Sequence, residues 1–390
     1  MKLLHIVGDS RWGGGGVVIS QLAEMSQRLG WDVDVLTTDP AFQDVLRERK
    51  VGVVDLDVIW REIRPWRDVK GLYHLWKFLR ASSYDLVHTH TSKAGFVGRL
   101  AAKLAGVPAI VHTAHGFAFH EESDPMTLRT CSLLERMAAY CCHRIITVSE
   151  FHRRWAIQLG ISDETKTTAI PNGIPEESME WSVDALRVNL GIEPGELAIF
   201  TIGRLARQKG LEYLIEALPR LADQFARPFK VFLAGDGPLM TELQRLVTDR
   251  GLEDKVVFLG FRKDVRQLLL ACDLVVLPTL REGLSIALIE AMAAGKAIIT
   301  TTIGSNKEAT LNGEAALLIP PKSPAAIADA ITQIVENAWM AARLATRARE
   351  IYLASYTDTH MLKAYRGIYE EVLSSRSFAV TADSQFEAQA

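Results

Sequence analysis

Ile170-Pro171-Asn172-Gly173-Ile174-Pro175 interrupts the chain near its middle, and the fold is read outward from that break. Two prolines and an Asn-Gly within six residues continue neither a helix nor a central strand. Before the break, short apolar runs alternate with helical patterns: Leu3–Val7, Val33–Leu36, Val51–Leu56, Leu86–His88, Ala109–His112 and Ile145–Val148. After it the alternation starts again, at Ala198–Ile202, Val231–Ala234, Val256–Leu259, Leu274–Leu277 and Ala297–Thr300. Helices such as Leu211–Ala222 and Leu239–Arg250 separate the later runs. Strands joined by helices imply parallel pairing through right-handed crossovers. The expectation is an α/β protein of two doubly wound, Rossmann-like domains facing across a cleft. Residues 1–175 form the first and 176–350 the second. A C-terminal helix over 351–373 returns to the first domain, and 374–390 is a small, polar, disordered tail.

Bulk properties narrow the function. A chain of 390 residues is long for one domain, and 48% hydrophobic residues supply two cores. A net charge of −3 excludes a globally basic nucleic-acid binder, so no nucleic-acid partner is expected. The four cysteines form no C-x-x-C pair, which disfavours a disulfide framework or a cysteine zinc site. No apolar run approaches the roughly 18–20 residues that span a bilayer. The N-terminal apolar run is too short for a secretory signal, so the expected location is cytoplasmic.

In open α/β sheets ligands bind beyond the carboxyl ends of the strands, and the unusual residues cluster there. Gly13-Gly14-Gly15-Gly16 lies between the first strand and a helix expected from about Val17. Backbone amides approach a ligand there without Cβ obstruction, and a helix N-terminus favours an anion. The loop lacks the Gly-Lys-Ser/Thr of a nucleoside-triphosphate loop, and Val18 replaces the third glycine of a dinucleotide fingerprint. Gly203-Arg204-Leu205-Ala206-Arg207-Gln208-Lys209-Gly210 places three cations before a helix, against its macrodipole. An anionic ligand resolves the conflict, with Arg204 and Lys209 neutralising a diphosphate and Arg207 a solvated charge. Gly235 and Gly237, in Ala234-Gly235-Asp236-Gly237-Pro238, fit a tight turn or a ligand contact equally.

The most informative stretch is Arg281-Glu282-Gly283-Leu284-Ser285-Ile286-Ala287-Leu288-Ile289-Glu290-Ala291-Met292. Glu290 interrupts an apolar helix, and an unpaired buried carboxylate is expensive. Vicinal ribose hydroxyls would supply its donors. Glu282 precedes the helix, where the amides of Gly283, Leu284 and Ser285 can meet a phosphate. His88, His90, His112 and His115 close two strands, but neither carboxylate nor cysteine accompanies them, so no metal is expected. His115, beside Gly116, is read as a hydrogen-bonding group facing the cleft; His88, His90 and His112 are read as packing residues.

These motifs, in this order, resemble the retaining nucleotide-sugar glycosyltransferases of family 4, which have the GT-B fold. The likeness covers most of the chain, and THTSKAG with VHTAHGFAFH is most similar to bacterial polysaccharide-assembly members. It implies that Arg204 and Lys209 contact the donor diphosphate, that Glu290 binds the ribose, and that Glu282 contacts the transferred sugar. His115 then matches the histidine near the sugar 6-hydroxyl and the reaction centre. Gly14, Gly15 and Gly16 match the loop near acceptor and phosphate. The chain departs from the pattern at Ile303-Gly304-Ser305, where many relatives carry Gly-Gly.

The implied donor is a UDP- or GDP-sugar, a substrate and not a cofactor, and the acceptor is a glycan or a polyprenyl-diphosphate-linked glycan. Front-face departure and attack would let the diphosphate take the acceptor proton, and the absence of a convincing D-x-D points to metal-independent chemistry. Residues 60–80 hold six cations against two acids, and three of the eight tryptophans. That fits an anionic membrane surface and a peripheral position on the inner face of the cytoplasmic membrane, although core-facing aromatics beneath a solvated cationic face fit equally. The rival readings are a GT-B-like nucleotide-sugar epimerase and a catalytically silent partner subunit.

Overall fold

The computed structural model describes residues 1–8, 12–60, 64–120, 122–176, 181–225 and 227–387, the last stretch from 375 as backbone. The chain divides into two compact units, one of residues 1–172 with 358–390 and the other of residues 173–357.

The first unit holds β1 (Lys2–Gly8), β2 (Asp32–Thr37), β3 (Gly52–Val54), β4 (Leu86–His90), β5 (Ala109–Ala114), β6 (Arg144–Thr147) and β7 (Thr167–Ala169). All pair in parallel, in the order β3-β2-β1-β4-β5-β6-β7. The second holds β8 (Leu197–Ile202), β9 (Phe229–Ala234), β10 (Val256–Gly260), β11 (Leu274–Leu277), β12 (Ala297–Thr301) and β13 (Leu317–Ile319). These too are parallel, in the order β10-β9-β8-β11-β12-β13. Both sheets are doubly wound. In each, strand order reverses beside the first strand, so the crevices open beyond β1/β4 and beyond β8/β11.

Burial on both faces explains why the central strands read as unbroken apolar runs. Leu197, Ile199, Val231, Leu233, Val276 and Ile299 lie in the core of the second sheet, under the helices Leu211–Gln224 and Pro324–Glu336. Leu4, Ile6, Val87 and Ile110 do the same in the first, under Pro65–Ala81 and Ser92–Ala105.

Three local readings differ from the structure. The helix expected from Val17 starts at Gly14, so Gly14, Gly15 and Gly16 are its first turn and not a loop. The Val17 amide closes that turn on the Gly13 carbonyl at 3.1 Å. The amides of a first helical turn have no intrahelical acceptor, so the expected anion-facing donors persist in helical form. Secondly, the chain re-enters the first unit at Asp358, through the helix Asp358–Glu387. Thirdly, that helix runs through most of the segment expected to be a disordered tail, which contains neither Gly nor Pro and several good helix formers. Residues 388–390 lie outside the described residues.

Candidate functional site

The switch point of the second sheet gathers the charged residues. Gly203 follows β8, and a short 3₁₀ turn, Arg207–Lys209, swings the Lys209 side chain back over it. A Cβ at Gly203 would sit 3.3 Å from Lys209 Cε and 3.5 Å from Nζ, so glycine leaves the space the ammonium needs. Lys209 forms an ion pair and hydrogen bond with Glu282, which follows β11, and both side chains are mostly buried. Thr201, Gly203, Lys209, Leu277, Pro278 and Thr279 line a small cavity beside this pair.

Arg204 is exposed and Lys209 mostly buried against Glu282, so the expected Arg204/Lys209 pair is two cations in different surroundings. Gly235 and Gly237 lie in a tight turn packed on the Gly203–Leu205 backbone. A Cβ on either would collide with the carbonyl of Gly203 or Leu205. Their glycines let this loop dock on the cation-bearing one, with Leu205 N–H donating to the Asp236 carbonyl at 2.9 Å and Leu239 N–H to the Leu205 carbonyl at 3.0 Å.

Gly283 and Leu284 are buried, and Ser285 caps the helix Ile286–Ala293, its hydroxyl accepting from the Leu288 amide. Glu290, in the middle of that helix, is half-buried among Ala287, Ile289 and Ala291. Desolvation pushes its pKa up to about 7 from an ordinary 4.5, against the opposing fields of Arg266 and Lys209. A carboxylate held at such a cost inside a helix, in the fields of two cations, marks a candidate functional group.

Sequence reasoning missed three supports. Arg266, on the helix Val265–Ala271, gives the larger of the two fields on Glu290, and nothing in its local sequence marks it out. Ser305, at the position where the motif departs from Gly-Gly, is buried, and its hydroxyl donates 3.0 Å to the Glu282 carbonyl. Asn306 beside it ties Thr300 and Thr301 at the end of β12. The departure therefore fixes the backbone of the Glu282 loop.

In the first unit, the helical turn Gly14–Gly16 follows β1, and half-buried His115 follows β5. His88, His90 and His112 are buried, as the packing reading has them, and each ring is hydrogen-bonded as well. His88 bridges Thr113 at 2.8 Å and Tyr369 at 2.7 Å. His112 reaches Thr89 at 3.0 Å, and His90 lies between His5 and His115. His5, in β1, gave no signal in the sequence pattern; its register neighbour on β4 is His88. Burial holds all five rings neutral, with His5 pushed down to about 3 and His115 to about 4, and His88, His90 and His112 well below their usual range.

Ring nitrogens of His5, His88 and His90 all lie within 4.8 Å of one another, close enough to raise the question of a metal. The geometry fits a hydrogen-bonded cluster better. Both nitrogens of His88 are engaged by hydroxyls, and His5 and His90 face each other directly.

Two doubly wound parallel sheets, each with its switch point beside its first strand, are the architecture of the GT-B class. The pattern described as Glycosyltransferase Family 4 matches residues 12–178, and that described as Glycosyl transferases group 1 matches residues 182–351. The chain belongs to glycosyltransferase family 4. An Escherichia coli UDP-Gal:alpha-D-GlcNAc-diphosphoundecaprenol alpha-1,3-galactosyltransferase is 34% identical over 311 residues, covering 78% of this chain and 80% of that protein. The crystal structure of Anabaena HepE in complex with UDP-glucose is 25% identical with a TM-score of 0.82, covering 95% of this chain and all of that one. WaaG, a glycosyltransferase involved in lipopolysaccharide biosynthesis, is 17% identical with a TM-score of 0.75 over 93% of this chain and 98% of its own, a likeness of fold.

Proposed function

We propose that the protein is a retaining, metal-independent glycosyltransferase that moves a hexosyl group from a UDP-sugar to a polyprenyl-diphosphate-linked glycan in bacterial polysaccharide assembly. The observation that carries the reading is Glu290, a half-buried carboxylate within the field of Lys209, whose ammonium pairs with Glu282. In this reading Glu290 accepts from the ribose hydroxyls. Lys209 and Arg204 offset the charge that develops on the departing diphosphate, and the amides of Gly283, Leu284 and Ser285 add donors. Glu282 and His115 contact the transferred sugar, while Gly14, Gly15 and Gly16 offer amides to the acceptor side. UDP is favoured over GDP because the E. coli relative is named for UDP-Gal and HepE was crystallised with UDP-glucose. The diphosphoundecaprenol in the E. coli relative's name supports the acceptor class.

Titration calorimetry with UDP and GDP tests the donor site. Saturable heat with UDP, and binding at least about tenfold weaker with GDP, is expected; no saturation with either would remove the assignment. Turnover of UDP-sugar without any acceptor would instead favour the epimerase reading. Because the cations of the site are side chains, EDTA is expected to leave the rate unchanged. Activity lost to EDTA and recovered only with manganese or magnesium would contradict metal independence.

A lipid-borne acceptor calls for membrane contact. No helix among the described residues is long and apolar enough to cross a membrane. The helix Pro65–Ala81, however, buries Gly71, Leu75 and Leu79 and turns outward Trp66, 90% exposed, with Val69 and Tyr73 at helical spacing from it. Arg64, Arg67, Lys70, Lys77 and Arg80 are also exposed. Arg61 and Glu62, part of the same charge run, lie outside the described residues. We place this face on anionic lipid. Flotation with phosphatidylglycerol vesicles at low salt is expected to carry the protein, and Trp66→Ala with Tyr73→Ala to weaken it. Absence of binding at low salt would leave a merely solvated face.

A further inference from the structure

Nδ1 of His5 lies 3.0 Å from Nε2 of His90, and Nδ1 of His90 lies 3.1 Å from Nε2 of His115. The three rings run from β1 across β4 to the end of β5, over the switch point of the first sheet. His5 and His90 are fully buried, and the rings stack in sequence, with centroids 5.3 Å apart at each step. The neighbours leave the chain unbranched. His88 packs on His90 but spends both nitrogens on Thr113 and Tyr369, and His112 turns to Thr89.

A neutral imidazole carries one proton, so it donates from one nitrogen and accepts at the other. That rule leaves two arrangements. If His90 is protonated at Nδ1, it donates to His115 Nε2 and accepts from His5 Nδ1, so all three rings are Nδ1–H. If it is protonated at Nε2, both neighbours must also be Nε2–H. No mixed state keeps both hydrogen bonds. Neutrality is what burial enforces on these rings.

The chain ends in two buried nitrogens that have no partner among the described residues, Nε2 of His5 and Nδ1 of His115. The second sits beyond the carboxyl end of β5, where ligands of such sheets bind. Under one arrangement it presents an N–H to a ligand oxygen; under the other it presents a lone pair to a ligand hydroxyl.

We propose that His5 and His90 are positioning residues which, through this imidazole chain, fix the tautomer that His115 presents to the donor sugar. The proposal rests on the reading of His115 as a sugar contact. His5 and His90 touch no substrate; they act by deciding whether His115 donates or accepts, much as an outer hydrogen bond selects the tautomer of a ligating histidine.

Long-range ¹H–¹⁵N correlation spectra of the full chain, labelled at histidine, read the tautomers directly. His5, His90 and His115 are expected to share one tautomer. In His90→Phe, His115 is expected to become a mixture of tautomers, with kcat down about tenfold and the donor KM within about twofold. His90→Gln can accept from one neighbour and donate to the other, and is expected to restore most of kcat. Different tautomers on His90 and His115 in the wild type would overturn the proposal even if no variant folds. So would a His115 signal unchanged in folded His90→Phe. The same labelled sample titrated with UDP separates the two readings, since failure to bind UDP strikes the donor site and leaves the tautomer result standing.

Discussion

Glu290→Gln is expected to make the free protein more stable at pH 8 while Glu290→Ala lowers kcat/KM by about two to three orders of magnitude. Both follow from one carboxylate. Its pKa is 4.5 in an ordinary setting and about 7 in the fold. Below pH 4.5 it is protonated in folded and unfolded chains alike, and contributes no difference. Between the two values the folded state holds more proton than the unfolded, so stability falls as pH rises; above about 7 the full cost is present. The shift corresponds to about 3 kcal/mol at most. For a unit of this size Glu290→Gln should raise Tm by roughly 5–10 °C at pH 8 and by about a degree at pH 4.5. The kinetic loss comes from the other side of the ledger, a charge-assisted contact to the donor of roughly 3–4 kcal/mol. Calorimetric scans at the two pH values and steady-state kinetics check both. A variant neither stabilised at pH 8 nor impaired in turnover would mean that the carboxylate is an ordinary surface group.

What the sequence revealed, and what it hid, follows from how far each signal reaches along the chain. Central strands were legible because burial on both faces demands unbroken β-branched and aliphatic runs, as in Val275-Val276 and Ile298-Ile299. The edge strand β7 is Thr167-Thr168-Ala169, partly exposed and without an aliphatic run; β13, Leu317-Leu318-Ile319, has one, but three residues are too few to separate a strand from its surroundings. Glu290 was legible because a carboxylate among Leu288, Ile289, Ala291 and Met292 violates the pattern of its own helix. Arg266, Ser305 and His5 violate nothing locally. Their roles appear when β1, β12 and the helix before β11 are brought beside residues distant in sequence, which is tertiary information. The same limit explains Arg204 and Lys209. Five residues apart and alike in charge, they read as a pair until the 3₁₀ turn delivers Lys209 to Glu282 and keeps Arg204 at the surface.

Lys209→Ala is therefore expected to do more than remove one positive charge. The ammonium serves Glu282 directly and Glu290 through its field. In the proposed reaction it also meets the diphosphate as negative charge builds on the leaving oxygen. Loss of that last interaction should lower kcat/KM by about two to three orders. Truncation also leaves the Glu282 carboxylate mostly buried without its cation, which costs more than a surface pair would. It withdraws a field that lowers the Glu290 pKa, so Glu290 should titrate higher in the variant. The effects of Lys209→Ala and Glu282→Ala should consequently fall short of adding: once the lysine is gone, removing the glutamate deletes an unpaired charge and not a functioning pair. A double-mutant cycle on kcat/KM, with the pH dependence of Tm recorded for each member, measures all three consequences. If the two substitutions add in full, Lys209 and Glu282 act independently despite their contact. If Lys209→Ala keeps near wild-type kinetics, the diphosphate is held elsewhere, and the exposed Arg204 is the first residue to test in its place.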